Sequence, residues 1–186
     1  ESIIFSDNLE LETIEKSALY FSDMKSLTIP KSLINLEERW CDTALELTNI
    51  KISPENPRYR LYEDKLIIGK SKIDQENYDT LVFCVRNAKN VKIPNFIKYI
   101  DDYAFDGCIK IKNFEISENS ELYSIGYQSI PDNIESIFIP KSVLCLENEC
   151  FSPSSKLTDI KISSENPKYK IYEKFIVSKS TIEKYN

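Results

Sequence analysis

The feature that most restricts this chain is a seven-residue phrase, apolar-x-x-apolar-x-Ile followed by Pro or Ser, that returns at a fixed interval. It occupies residues 24–30, 47–53, 88–94, 111–117, 134–140 and 157–163. The closing isoleucines are Ile29, Ile52, Ile93, Ile116, Ile139 and Ile162. They stand 23 residues apart from 29 to 52 and at each step from 93 to 162, and only the gap of 41 from 52 to 93 breaks the rule. A fixed period of roughly 20 to 50 residues marks stacked supersecondary units. The chain therefore reads as a solenoid suited to contact rather than to catalysis.

Composition narrows the chemistry further. The 186 residues include no His and only 3 Gly. Without His there is no Ser/His/Asp triad, no imidazole acid/base chemistry and no His zinc ligand. So few glycines nearly exclude a phosphate-cradling loop. The formal net charge of −6, with signs interspersed, gives no basic stripe for nucleic acid. Asp101, Asp102 and Asp106 cluster in sequence, as do Glu147 and Glu149, but no nucleophile or second acid is placed opposite them, so they read as surface charge. Asp7, Glu10 and Glu12 could hold a hard cation loosely, without calcium-loop spacing. No catalytic residue, cofactor or metal site is expected.

The five cysteines, Cys41, Cys84, Cys108, Cys145 and Cys150, form no Cys-x-x-Cys pair and are odd in number. They are expected as free thiols, most of them packed as small hydrophobes. No apolar run approaches the roughly 20 residues of a spanning helix. The chain starts on Glu1 and stops in mid-unit, so it is expected to be a fragment of a longer array.

Read in order, residues 1–25 form a leading unit. Leu27 and Ile29 face inward from a short strand, which Pro30 ends because it cannot donate to a ladder. Residues 54–87 lengthen the irregular gap. They open Pro54-Glu55-Asn56-Pro57-Arg58-Tyr59 and carry two β-rich runs, Leu61-Tyr62 with Leu66-Ile67-Ile68, then Thr80-Leu81-Val82-Phe83-Cys84-Val85. They are expected to form one or two β-hairpins projecting from the array edge. Residues 164–186 start a second such insertion, through Asn166-Pro167-Lys168-Tyr169. Residues 26–63 and 136–173 agree at about half their positions, an offset of 110. Residues 1–186 thus form one repeat domain.

Residues 92–111 read Ile-Pro-x-x-Ile-x-x-Ile-Asp-x-x-Ala-Phe-x-x-Cys-x-x-Ile from Ile93 onward. This resembles the Treponema-type leucine-rich repeat of BspA-like surface antigens, and the Asn-Pro-x-Tyr segments are similar to that family's hairpin insert. Trp40-Cys41 and Cys150-Phe151 depart from its Ala-Phe step. The resemblance implies a right-handed leucine-rich repeat solenoid, mainly β, with a parallel concave sheet, short turns or 3-10 segments on the convex side, and hairpin insertions. It also implies a non-enzymatic cell-surface or secreted module binding a host matrix or cell-surface protein. An intracellular protein-interaction scaffold is the alternative.

On such a sheet, residues between the inward isoleucines point outward. One row is Thr28, Lys51, Lys92, Glu115, Phe138 and Lys161. Its neighbour contains Ser26, Asn49, Asn90, Asn113, Ser136 and Asp159. These rows are either a solvated face or a partner-binding surface with Phe138 as its exposed aromatic anchor. Tyr59, Tyr62, Tyr169 and Tyr172 of the insertions either pack over the solenoid edge or compete as a site.

Overall fold

The computed structural model describes residues 1–6, 8–20, 23–173 and 175–178. Among them there is no helix, and 17 short strands alternate with turns. Each recurrence of the seven-residue phrase is one strand of a parallel ladder. Ser2–Ile4, Ser26–Ile29 and Asn49–Ile52 lie side by side, with Leu27 opposite Ile50 and Ile29 opposite Ile52. Asn90–Lys92 pairs with Asn113–Glu115, and Ser136–Ile139 with Asp159–Ile162. The interval of 23 is therefore one coil of chain, returning to the same register one rung further on.

The core follows from the alternation. In Ser26–Ile29 every second side chain is buried, and Ile29, Ile93 and Ile139 are fully enclosed. Ile52 and Ile162 are half-buried. After the last isoleucine, the Pro or Ser carbonyl accepts from the residue three further on. This holds for Leu33 on Pro30, Ile97 on Pro94, Val143 on Pro140, Asn56 on Ser53 and Asn166 on Ser163. Proline suits this position because it stops the strand while keeping its carbonyl as acceptor.

The opposite side of the coil differs from turns or 3-10 segments alone. Two-residue parallel strands form a second ladder: Thr13–Ile14 with Asn35–Leu36, and Tyr99–Ile100 with Ser124–Ile125 and Cys145–Leu146. No 3-10 segment occurs among the described residues. Three residues after the inward side chain of each strand, the backbone is left-handed: Ser17, Arg39, Tyr103, Gln128 and Glu149 have φ of 57°, 55°, 59°, 44° and 55°. None is glycine, so the corner recurs against local preference.

The segment 54–87 does not project from the edge. Tyr59–Tyr62 runs antiparallel to Leu66–Gly69, which runs antiparallel to Thr80–Cys84, and that strand is parallel to Tyr99–Ile100. Thr80–Cys84 thus enters the second ladder as a rung. The reason is apolarity on both faces: Leu66, Ile67, Leu81 and Cys84 have no exposed surface, and runs of this kind suit strands covered on both sides. Tyr169–Tyr172 pairs with Phe175–Ser178 in the corresponding later position; residues 174 and 179–186 of the second insertion lie outside the described residues. Cys41, Cys84, Cys108 and Cys150 are buried free thiols and Cys145 is half-buried.

The Asn-Pro-x-Tyr segments act as plugs. Asn56, fully buried, donates to the carbonyls of Pro30 and Leu33, both at 2.8 Å, and accepts from the amides of Arg58 and Tyr59. Asn166 repeats the pattern on Pro140, Val143, Lys168 and Tyr169. Only a side chain with both an amide donor and a carbonyl acceptor meets this demand.

Two stability predictions follow from these features. Ser17→Gly relieves the left-handed corner and raises unfolding free energy by about 0.5–1 kcal/mol, whereas Ser17→Val lowers it by at least as much. Denaturant unfolding checks both, and an unchanged midpoint for the valine variant would contradict the strain. Asn56→Ala removes four hydrogen bonds to backbone groups and costs about 2–4 kcal/mol; a loss below about 1 kcal/mol would show that the plug is dispensable.

Candidate interaction surfaces

The two outward rows lie where the alternation places them, stacked in register on the first ladder. Thr28 stands beside Lys51, Lys92 beside Glu115, and Phe138 beside Lys161. In the neighbouring row Ser26 stands beside Asn49, Asn90 beside Asn113, and Ser136 beside Asp159. All but Ser26, Thr28 and Phe138 are exposed. Phe138 is half-buried, not an open aromatic anchor.

Local pairing consumes part of the row's charge. Lys92 meets Glu115 at 2.7 Å and Lys161 meets Asp159 at 3.2 Å. Asn113 donates to Asn90 at 2.7 Å. Such exposed pairs contribute at most about 1 kcal/mol and open readily toward a partner. Lys51 makes no ion pair among the described residues.

Of the insertion tyrosines, Tyr59 is 3% exposed. Its hydroxyl receives the Leu36 amide at 3.0 Å and donates to the Ile34 carbonyl at 3.2 Å. Tyr62 packs edge-on against Phe96, with ring centroids 5.8 Å apart. Tyr169 is half-buried and receives the Leu146 amide, while Tyr172 is open at 59%. Packing thus accounts for three of the four rings.

The sequence reading missed a cleft. Asn35–Leu36 and Thr80–Cys84 are not paired, and the hydroxyl of Tyr59 covers part of the open edge. A groove of about 590 Å³ lies there, between residues including Trp40, Arg58, Arg86, Asp101 and Asp106. The signal available in the sequence was the irregular gap of 41, which marks where the ladder breaks.

The carboxylates near this groove are not uniform surface charge. Asp101 retains exposed surface, yet crowding by the groove walls, aided by the adjacent Asp102, pushes its carboxyl from 3.8 up to about 6. Asp106 is half-buried, and burial raises it, with Arg86 opposing. Asp102 accepts from the Tyr127 amide, and Glu149 accepts from the Tyr127 hydroxyl at 2.9 Å. A Cβ on Gly126 would meet Asp102 Oδ1 at 2.6 Å, so glycine is required there. No cluster able to hold a metal ion occurs among the described residues; Asp7 lies outside them. No helix of the described structure is long and apolar enough to cross a membrane.

Comparison with known proteins agrees with this architecture. The model of the BspA type leucine rich repeat region matches residues 1–61 and 77–186, in 6 copies. No curated protein matches. A leucine-rich repeat protein from Eubacterium ventriosum is similar in structure, with TM-score 0.64 and 19% identity over 87% of this chain and 41% of that one. A leucine rich cell surface protein from Faecalibacterium prausnitzii gives 0.52 and 18%, over 86% and 52%. The pneumococcal vaccine antigen PcpA gives 0.53 and 18%, over 90% and 40%. This chain spans about half or less of each of these structures, and at such identities the likeness carries the fold alone.

The raised carboxyl sets a pH dependence. The folded chain holds a proton on Asp101 between 3.8 and about 6 that the unfolded chain releases. Its contribution to stability is therefore full below 3.8 and is lost as pH rises through about 6. Urea unfolding across that window should show the parent losing stability relative to Asp101→Asn as pH rises. A difference independent of pH would contradict the crowding of this group.

Proposed function

We propose that this chain, which belongs to the BspA type leucine-rich repeat family, is a non-enzymatic protein-binding segment of a cell-surface protein, and that it adheres to a host matrix or cell-surface protein. The partner lies along the outward rows of the first ladder, over Thr28, Asn49, Lys51, Asn90, Lys92, Asn113, Glu115, Phe138, Asp159 and Lys161. The observation that carries this reading is the register. Residues one rung apart stand side by side on parallel-paired strands, Thr28 with Lys51, Lys92 with Glu115 and Phe138 with Lys161, so a partner meets a preordered surface and loses little entropy in fixing it. Lys51 and the half-buried ring of Phe138 supply charge and apolar area within one surface. The names of two structural neighbours, a cell surface protein and a vaccine antigen, support an exposed location. The unpaired thiols favour a second reading, an intracellular interaction scaffold, since disulfides are rare in reducing compartments.

Surface plasmon resonance against a panel of purified matrix proteins tests the binding. We expect saturable binding to at least one, weakened at least about tenfold, or 1.4 kcal/mol, by Lys51→Glu combined with Phe138→Ala. Binding that ignores both substitutions would move the site elsewhere, and no binding to any matrix protein would count against adhesion. Labelling of intact producing cells with an antibody to the chain separates the surface location from the intracellular one.

A further inference from the structure

We infer that the cleft in the second ladder is a separate recognition site, taking an extended peptide segment of a partner in which an acidic side chain adjoins a basic one. The argument starts from Arg86. It is 3% exposed and lines the cleft. Its two terminal nitrogens reach only thiol sulfurs, Cys108 and Cys41, each at 3.7 Å. Its Nε has no hydrogen-bond partner. No carboxylate forms an ion pair with it among the described residues. Sulfur is a weak acceptor, and Asp106, which feels the Arg86 charge, makes no ion pair with it, so the buried guanidinium has no hydrogen-bonded anion to offset its burial. The ring of Phe83, 4.6 Å from the guanidinium carbon, offsets only part of this.

Arg58 lines the same cleft, and its buried Nε also lacks a partner. Two of the three buried side-chain atoms left unsatisfied among the described residues thus belong to arginines of one groove. Buried polar groups are rarely orphaned, so two in one place indicate a missing acceptor. A carboxylate supplies it bidentately. A bare anion would be opposed, because Asp42, Asp101, Asp102 and Asp106 also line the groove. The Asp101 carboxylate has no hydrogen bond or ion pair among the described residues, although Arg58 lies near enough for its charge to favour the ionised form. A segment carrying both signs meets both demands, its carboxylate toward Arg58 and Arg86 and its cation toward Asp101. None of the first-ladder row residues lines this cleft, so the site stands or falls separately from the proposed adhesive face.

Trp40, the chain's single tryptophan, lines the cleft and packs on Phe83 at 5.2 Å, giving a built-in reporter. Its fluorescence is followed during titration with acetyl-Lys-Glu-amide, acetyl-Glu-Lys-amide, and their single-charge counterparts with Gln for Glu or Leu for Lys. At least one mixed-charge peptide should give a saturable change and bind at least about tenfold more tightly than its counterparts. Arg58→Gln and Asp101→Asn, both at partly exposed positions, should each weaken it about tenfold while leaving near-UV circular dichroism unchanged. The inference is overturned if no mixed-charge peptide saturates, if single-charge peptides bind as well, or if the two variants bind normally.

Discussion

Parallel backbone pairing between successive coils is the constraint from which the rest of the structure follows. The amides and carbonyls of a strand in one coil find their partners in the next coil, so a coil alone leaves them unsatisfied. Ile29 against Ile52 and Ile139 against Ile162 add a side-chain column in the same register. A single coil cannot enclose either isoleucine, and stacking supplies both the hydrogen bonds and the apolar interior. A regular chain under this constraint must keep its coil length, which is why the interval holds at 23 while the sequence between isoleucines varies. Cys150 and Ala104 fill one place in different coils, each bonded to a carbonyl three residues before it.

Residues 54–87 show what happens when coil length changes. The additional chain is too apolar to hang in water, so it folds back as two antiparallel strands and supplies a rung of its own. The second ladder then no longer meets Asn35–Leu36. Two side chains repair that end: Asn56 ties down the preceding turn, and the Tyr59 hydroxyl takes the place of a strand on Leu36 and Ile34. Asn166 and Tyr169 repeat the repair 110 residues later. The cleft is what remains unfilled between the broken rungs, and Arg58, Arg86, Asp101, Asp102 and Asp106 line it.

Much of this was legible in the sequence because it depends on one-dimensional spacing. The isoleucine interval gave the ladder, Pro30 and Pro94 gave strand ends, and the unpaired cysteines gave buried thiols. The outward placement of Lys92, Glu115 and Asn113 followed from strand alternation alone. What was not legible depends on partners distant in sequence. The pairing of Thr80–Cys84 with Tyr99–Ile100 turned an expected projection into a rung. Strands of two residues, such as Ser124–Ile125, are too short to show a period. The left-handed corners at Arg39 and Tyr103 carry no glycine to announce them. Phe138 looked open because alternation says which way a side chain points, not how much of it is covered.

Nuclear Overhauser contacts between backbone protons test the ladder most directly. The stacked coil predicts cross-peaks linking Ser26 with Asn49, Asn90 with Asn113 and Ser136 with Asp159, each 23 residues apart, in a parallel pattern. It also predicts antiparallel cross-peaks only within the insertions, as between Arg60 and Ile68. Absence of the parallel contacts, with those strands paired antiparallel or not at all, would contradict the account at its root.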